Sequence, residues 1–250
     1  MKLYFECANG ISGDMSVGAL LDLGANKEKL DIALKSLNLD DEFSYKIEKM
    51  KVNSILTTDF DVIYDDKHEH HHHMHSSNLH HTHRNLDDVI NIINKAQMTD
   101  NARNLAKKIF NIVAEAESKV HGLPLDKVHF HEVGAIDSIV DIISFSVLYD
   151  DLNPEKSYFK ALTEGQGTVV CAHGEMSVPV PAVCEIASLY SIPVKITNNE
   201  GEMITPTGIA IAAALYNKEE LPETLIIRRT GCGRGKRPYK NPVLRVFEIE

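Results

Sequence analysis

Cysteine is scarce in this chain and widely scattered: Cys7, Cys171, Cys184 and Cys232, with no CxxC pair. That spacing excludes a disulfide framework and a zinc-finger pattern, and it fits a reducing cytosol. Basic charge is also short. The formal net charge is −10 and the isoelectric point is near 5.7, whereas a nucleic-acid surface needs a basic patch to displace counterions. No run approaches the roughly 18 consecutive apolar residues of a transmembrane helix. The opening MKLYFECANG is too weakly apolar for a signal peptide. Neither a GxGxxG nor a Walker A loop is present. The expectation is a cytoplasmic protein that engages neither nucleic acid nor membrane.

What is there suffices for a folded core. The 250 residues, 43% of them hydrophobic, can bury one without disulfides or a structural metal. Lys2–Cys7 alternates as a strand and runs into the turn Ala8–Gly13. Asp14–Leu23 has helical apolar spacing closed by Gly24, and Lys27–Leu37 reads as a second helix. Phe43–Val52 and Ile55–Tyr64, joined by Asn53-Ser54, read as an antiparallel pair. Further helices are expected from Asn85 or Asp87 to Ile93, over Asp100–Val120, over Gly134–Leu148, and from Pro181 and Pro206. Val128–His131, Gly167–Cys171, Pro193–Ile196, Thr224–Thr230 and Val243–Ile249 read as strands. Without a regular βαβ beat, the fold class is α+β, with mixed or antiparallel sheets, packed helices and a long disordered histidine-rich loop. That loop, residues 65–84, divides a smaller part (1–64) from a larger one (85–250).

Nine of the thirteen histidines fall within it: His68, His70, His71, His72, His73, His75, His80, His81 and His83. Neutral imidazole suits nickel, copper and zinc, and a run of this kind offers several alternative ligand sets, which favours capture and delivery over a rigid site. An expression tag would be terminal and uninterrupted, whereas this stretch is internal and broken by Glu69 and Met74. A solvated loop with incidental histidines is the other bland reading.

In the second segment, VHFHEVGAIDSIVD, an extended chain projects His129 and His131 to one face. Asp137 and Asp141 lie one helical turn apart. With Glu132, these groups could hold a divalent metal or supply a general base. Against that, Asp137 could simply balance a helix start, and Asp141 could mark a solvated helix face. Asn9-Gly10-Ile11-Ser12-Gly13-Asp14 is a strand-to-helix turn whose N–H groups favour an anion, or an ordinary capped turn using Ser12 or Asp14. Gly231–Arg237 combines glycines with Arg234, Lys236 and Arg237, a grip on an anionic ligand or a mobile basic hairpin. Cys171 and His173 share one side of a strand. Thr205 and Thr207 flank the proline at a helix start and cap it or touch a ligand.

At these residues the sequence resembles the LarC-type nickel-insertion proteins. The matching signatures are GISGDMSVGALLDLG, the internal histidine-rich loop, HFHEVGAIDSIVDI, HGEMSVPVPA, ITPTG and GCGRGKR, in the expected order along nearly the whole chain. Ser177 stands where the family usually has proline. The resemblance implies a CTP-dependent nickel insertase of lyase or chelatase type. It places Ni(II) in pyridinium-3,5-bisthiocarboxylic acid mononucleotide, forming the nickel-pincer cofactor of lactate racemase-type enzymes. On that reading Glu132, Asp14 and Asp137 carry chemistry, and the loop histidines with His129 and His131 hold the metal. Gly10, Ser12, Gly13, His173, Thr205, Thr207, Arg234, Lys236 and Arg237 meet the substrate. The family's carboxy-terminal CTP-binding domain is expected to be absent from this chain, so CTP with its divalent metal is required only where a separately encoded domain supplies it. The expected partners are the mononucleotide, that domain, an apo lactate racemase-type acceptor and further copies of the chain as a homo-oligomer.

Two rival classes remain: a nickel-binding metallochaperone or store, and a metal-dependent hydrolase using His129, His131 and Asp137. If the loop delivers metal, deleting residues 68–83 raises the nickel concentration needed for cofactor maturation and leaves turnover at saturating nickel nearly intact. Loss of maturation at every nickel concentration would overturn that division of labour.

Overall fold

A computed structural model of the chain describes residues 1–64, 84–128, 136–171, 174–237 and 241–250. In order, the elements are β1 (Lys2–Glu6), α1 (Gly13–Leu23), α2 (Lys27–Lys35), β2 (Ser44–Val52), β3 (Ile55–Ile63), α3 (Leu86–Lys95) and α4 (Asp100–His121). A 3-10 turn at Leu125–Lys127 precedes α5 (Ile136–Leu152). Then come β4 (Lys156–Phe159), β5 (Leu162–Gln166), β6 (Thr168–Cys171), β7 (Gly174–Ser177), α6 (Pro181–Tyr190), β8 (Val194–Glu200), α7 (Pro206–Leu215), β9 (Ile227–Arg234) and β10 (Val243–Ile249).

Local chemistry sets most of the helix ends. Asn26 and Thr99 accept N–H groups at the starts of α2 and α4, and Asn85 with Asp88 forms a full capping box on α3. Gly24, at φ 108°, closes α1 by donating to the Leu20 and Leu21 carbonyls. Arg103 of α4 donates to the Ile93, Asn94, Ala96 and Met98 carbonyls, tying the end of α3 to α4. Asn53 and Ser54 both take positive φ, 48° and 69°, so the β2–β3 turn has the twist a two-residue hairpin needs.

A mixed six-stranded sheet in the order β2-β3-β9-β10-β1-β4 forms the centre. It draws β1 to β3 from before the histidine-rich segment and β4, β9 and β10 from after it. Two parallel strands, β5 and β8, and the hairpin β6–β7 form separate small sheets. The alternation of β1 sends Leu3 and Phe5 into the main core, where Phe5 stacks on Phe159 at 4.9 Å and tilts against Phe145 of α5 at 6.3 Å. Tyr4 faces the opposite side and joins Tyr158, Phe247 and Ile249 in a second, smaller cluster. Helix α1 packs across β9, β3 and β10, and α5 lies behind it against α2 and α4. Among the described residues no helix is long and apolar enough to cross a membrane.

The α+β architecture agrees with the sequence pattern, as does the β2–β3 pair. Strands β4, β5 and β7 were not expected, because segments of only four or five residues leave no readable period. The strand expected over Thr224–Thr230 runs instead over Ile227–Arg234, so Gly231 to Arg234 belong to a strand and not to a mobile hairpin. Helix α5 extends past Leu148 to Leu152. Val128 follows the 3-10 turn outside any strand; the rest of that expected strand, the start expected for the α5 helix at Gly134, and the histidine-rich loop except Arg84 lie outside the described residues.

The glycines in β9 have a packing reason. A Cβ on Gly233 would overlap the Met15 carbonyl oxygen, and one on Gly231 would overlap that of Ala19. Helix α1 therefore rests on β9 backbone to backbone. Gly233→Ala is expected to cost about 3 kcal/mol, read as a lower midpoint in urea unfolding. An unchanged midpoint would mean that α1 shifts freely.

Candidate functional site

Three helix N-termini meet at one place. Ile11, in the turn before α1, donates to the Met203 carbonyl at 3.0 Å and accepts from the Thr205 N–H, before α7, at 3.1 Å. Gly13 lies so close to Asp141 of α5 that a Cβ there would overlap its carboxylate. The hydroxyls of Thr207 and Ser138 are 3.5 Å apart, linking α7 to α5. Thr205 caps α7 by accepting the Gly208 N–H at 3.1 Å.

Helix N-termini are positive and usually receive an anion from outside. Here the chain supplies its own. The Met15 N–H donates to Asp14 Oδ1 at 2.8 Å, and Ser12 donates its hydroxyl to the same oxygen. Ser138 donates its N–H to Asp137 Oδ1 at 2.8 Å, and the Asp14 backbone N–H faces the Asp141 carboxylate. Asp141 Oδ1 is buried with no hydrogen-bond partner among the described residues.

All three carboxyls are harder to ionise than in water, first of all because they are taken out of it. Burial raises Asp14 and Asp137 above the ordinary carboxyl value. Asp141 is raised furthest, first by burial and then by the charges of Asp14 and Asp137. The ammonium of Lys236 acts in the opposite direction on all three.

A pocket of about 140 Å³ opens beside this group, with Ser12, Asp14, Glu202, Thr205, Lys236 and Arg237 in its walls. A larger hollow of about 300 Å³ at Asn85–Asp87 and Leu125–Asp126 gathers no comparable set of groups. Each cation of the GCGRGKR segment has an acidic partner. Arg234 reaches Asp59 at 2.9 Å, Lys236 pairs with Asp61, and Arg237 pairs with Glu202. The Lys236 and Arg237 side chains are 43% and 45% exposed, Arg234 only 28%.

Of the residues singled out from sequence, Ser12, Asp14, Thr205, Lys236 and Arg237 thus share one pocket. Behind it, Gly10 lies in the turn after β1, Gly13 opens α1 and Thr207 lies in the first turn of α7. Asp137 stands within electrostatic reach of Asp14, and Arg234 is turned toward Asp59. Glu132, His129, His131, His173 and the nine histidines from His68 to His83 lie outside the described residues. Among the described residues, no group of three or more His, Cys, Asp or Glu side chains is arranged to hold a metal ion. Asp141 is not on a solvated helix face as its period allowed; it is turned inward against Gly13. Its signal was an acid at i+4 from Asp137 in an otherwise apolar helix. Glu202 and Glu164 carry no such signal, and only the fold brings them to the site.

The nickel insertion protein family model matches residues 3–249. Over its whole length the chain is 44% identical to the pyridinium-3,5-bisthiocarboxylic acid mononucleotide nickel insertion protein of Alkaliphilus metalliredigens, covering 60% of that protein. It is 43% identical to the protein of the same name from Acetivibrio thermocellus, with 94% of this chain and 56% of the relative aligned. For the Geobacillus kaustophilus protein of that name the identity is 40%, over 98% of this chain and 58% of the relative. No solved structure matches. The chain belongs to the nickel insertion protein family, and it spans less than two thirds of the length of these relatives.

Folding lifts the Asp141 carboxyl above its ordinary value, so the folded chain holds that proton more tightly than the unfolded one. The stability this group contributes is present at low pH and is lost as pH rises from about 4 through the folded value. Asp141→Asn is therefore expected to melt higher than the parent at neutral pH without metal, with the gap closing below about pH 4. Thermal unfolding across pH checks this; a lower melting temperature at neutral pH would mean that the ionised carboxylate stabilises the fold.

Proposed function

We propose that this chain delivers nickel to, and inserts it into, pyridinium-3,5-bisthiocarboxylic acid mononucleotide, forming the nickel-pincer cofactor of lactate racemase-type enzymes. The observation that carries the reading is one pocket, in a chain matched by the nickel insertion family over residues 3–249, where the Asp14 and Glu202 carboxyls meet the half-exposed cations Lys236 and Arg237. Ni(II) and the mononucleotide are both substrates. Histidines between His68 and His83 collect the ion, and His129 and His131, directly before α5, receive it together with the oxygen donors Asp14 and Asp137. Exposed ion pairs are weak. Lys236 therefore exchanges the exposed Asp61 readily for the substrate's phosphate, while Arg237 stays anchored on the buried Glu202 and offers the phosphate its outer N–H groups. Arg234, held by Asp59, backs them. Gly10, Ser12, Gly13, Thr205, Thr207 and His173 supply N–H groups, hydroxyls and an imidazole around the nucleotide.

The thiocarboxylate sulfurs are softer donors than imidazole nitrogen and draw nickel off the protein. As the nickel–carbon bond forms, the ring carbon releases one proton. Glu132 or a carboxylate of the Asp14–Asp137 pair accepts it. In this scheme CTP activates the substrate, and the loaded cofactor passes to an apo lactate racemase-type enzyme.

The test combines the chain with Ni(II), CTP and the mononucleotide, with and without the remaining carboxy-terminal part of a relative, and follows activation of apo lactate racemase. Activation in either mixture, abolished by His129→Ala with His131→Ala even at abundant nickel, is the expected result. Tight nickel binding with no activation in either mixture would make the chain a metallochaperone instead. Normal activation by the double variant would remove both histidines from the mechanism.

A further inference from the structure

Glu164, on β5, has the least exposed carboxyl-bearing side chain among the described residues, with a relative exposure of 0%. Its Oε1 accepts the backbone N–H groups of Gly165 at 2.8 Å, Met203 at 2.6 Å and Ile204 at 3.1 Å. Its Oε2 is buried with no hydrogen-bond partner among the described residues. Enclosing a carboxyl is costly unless its hydrogen bonds are made. Backbone N–H groups in a loop are ordinarily satisfied by water or a neighbouring strand. Here two of them, 39 and 40 residues further along the chain, converge on a single side-chain oxygen.

What this oxygen holds is one wall of the pocket and the brace of the other. Glu202, Met203 and Thr205 line the cavity, and Glu202, 4% exposed, carries the ion pair to Arg237. The Met203 carbonyl accepts the Ile11 N–H at 3.0 Å, and the Thr205 N–H returns to the Ile11 carbonyl at 3.1 Å. Ile11 leads directly into the Ser12–Asp14 turn at the start of α1. From one buried oxygen, hydrogen bonds therefore run to the wall whose Glu202 holds Arg237 and to the turn that bears Asp14.

We propose that Glu164 is a positioning residue of this pocket: its carboxyl clamps the backbone of Met203 and Ile204 and so fixes the gap between the Arg237–Glu202 wall and the Asp14 turn. It touches neither metal nor nucleotide. The clamp needs a side-chain oxygen of this reach more than it needs a charge, since all three donors are neutral N–H groups. The functional consequence rests on the reading of the pocket as the mononucleotide site; the clamp itself does not.

Two variants and two readouts separate these statements. Glu164→Gln keeps an oxygen acceptor at the same reach, and Glu164→Met fills similar space without one. In the parent chain the Met203 and Ile204 amides exchange slowly with deuterium; in Glu164→Met their protection falls by about tenfold or more, and Glu164→Gln retains it. The dissociation constant for the mononucleotide, measured by calorimetry without nickel, rises about tenfold in Glu164→Met and stays within about threefold of the parent in Glu164→Gln. Fast exchange of these amides in the parent chain would overturn the clamp, as would unchanged protection and affinity in Glu164→Met. A Glu164→Gln variant as impaired as Glu164→Met would overturn it too. Should Glu164→Met fail to fold, the parent exchange pattern and the Glu164→Gln comparison still decide. A parent chain that binds no mononucleotide but loses amide protection in Glu164→Met would refute the function proposed for the pocket and leave the clamp standing.

Discussion

Helix α1 seats directly on β9, with glycine where a side chain would hold the two apart. Much of the site follows from that contact. It sets the height of the α1 N-terminus above the sheet, and so the position of Asp14 relative to the strand end that leads into Lys236. The same glycines place Arg234 beside Asp59 across the parallel contact of β3 with β9. A bulkier β9 would lift the carboxyl away from the cations while leaving both elements intact. The close approach therefore belongs to the chemistry as much as to the packing.

Charge is distributed against the interest of the empty fold. Three carboxyls sit at helix starts that stabilise them in part, yet burial, and for Asp137 and Asp141 the charges of their acidic neighbours, still make ionisation harder than in water. A group of carboxyls that is uncomfortable without a cation gains most when one arrives, which suits the uptake and release of nickel proposed above. At the rim Lys236 is paired only with the exposed Asp61, and Arg237, anchored on the buried Glu202, keeps its outer N–H groups toward solvent, so both can answer a second, negatively charged ligand.

Much of this was legible in the amino-acid order. The helical spacing of α1 and the alternation of β2 and β3 translate directly into structure, as does the proline that starts α7. Ser12, Asp14, Thr205, Lys236 and Arg237 stood out as polar groups in glycine-bearing or capped turns, and they share a pocket. Asp141 was harder to read, because an acid on an apolar helix faces solvent or a site with the same period, and only the neighbouring turn decides which. Glu164 was invisible: its role depends on the backbone of Met203 and Ile204, a relation between distant segments that no local pattern encodes. Strand β9 was misread in its bounds because glycine ordinarily weakens a strand, and here it is what lets a helix approach.

Strand β1 lies between β10 and β4, pairing Lys2 with Ile249 on one side and with Lys156 on the other. During synthesis the parallel partner emerges long before the antiparallel one, and β1 must wait for nearly the whole described chain to acquire both. Until then one edge of β1 offers unpaired N–H and carbonyl groups, beside the very turn that leads into α1. The pocket therefore cannot be finished before β9 and β10 have been made. Its walls come together only when β9 and β10 close the sheet, so a chain that lacks these strands presents the Asp14 turn without the cations that face it.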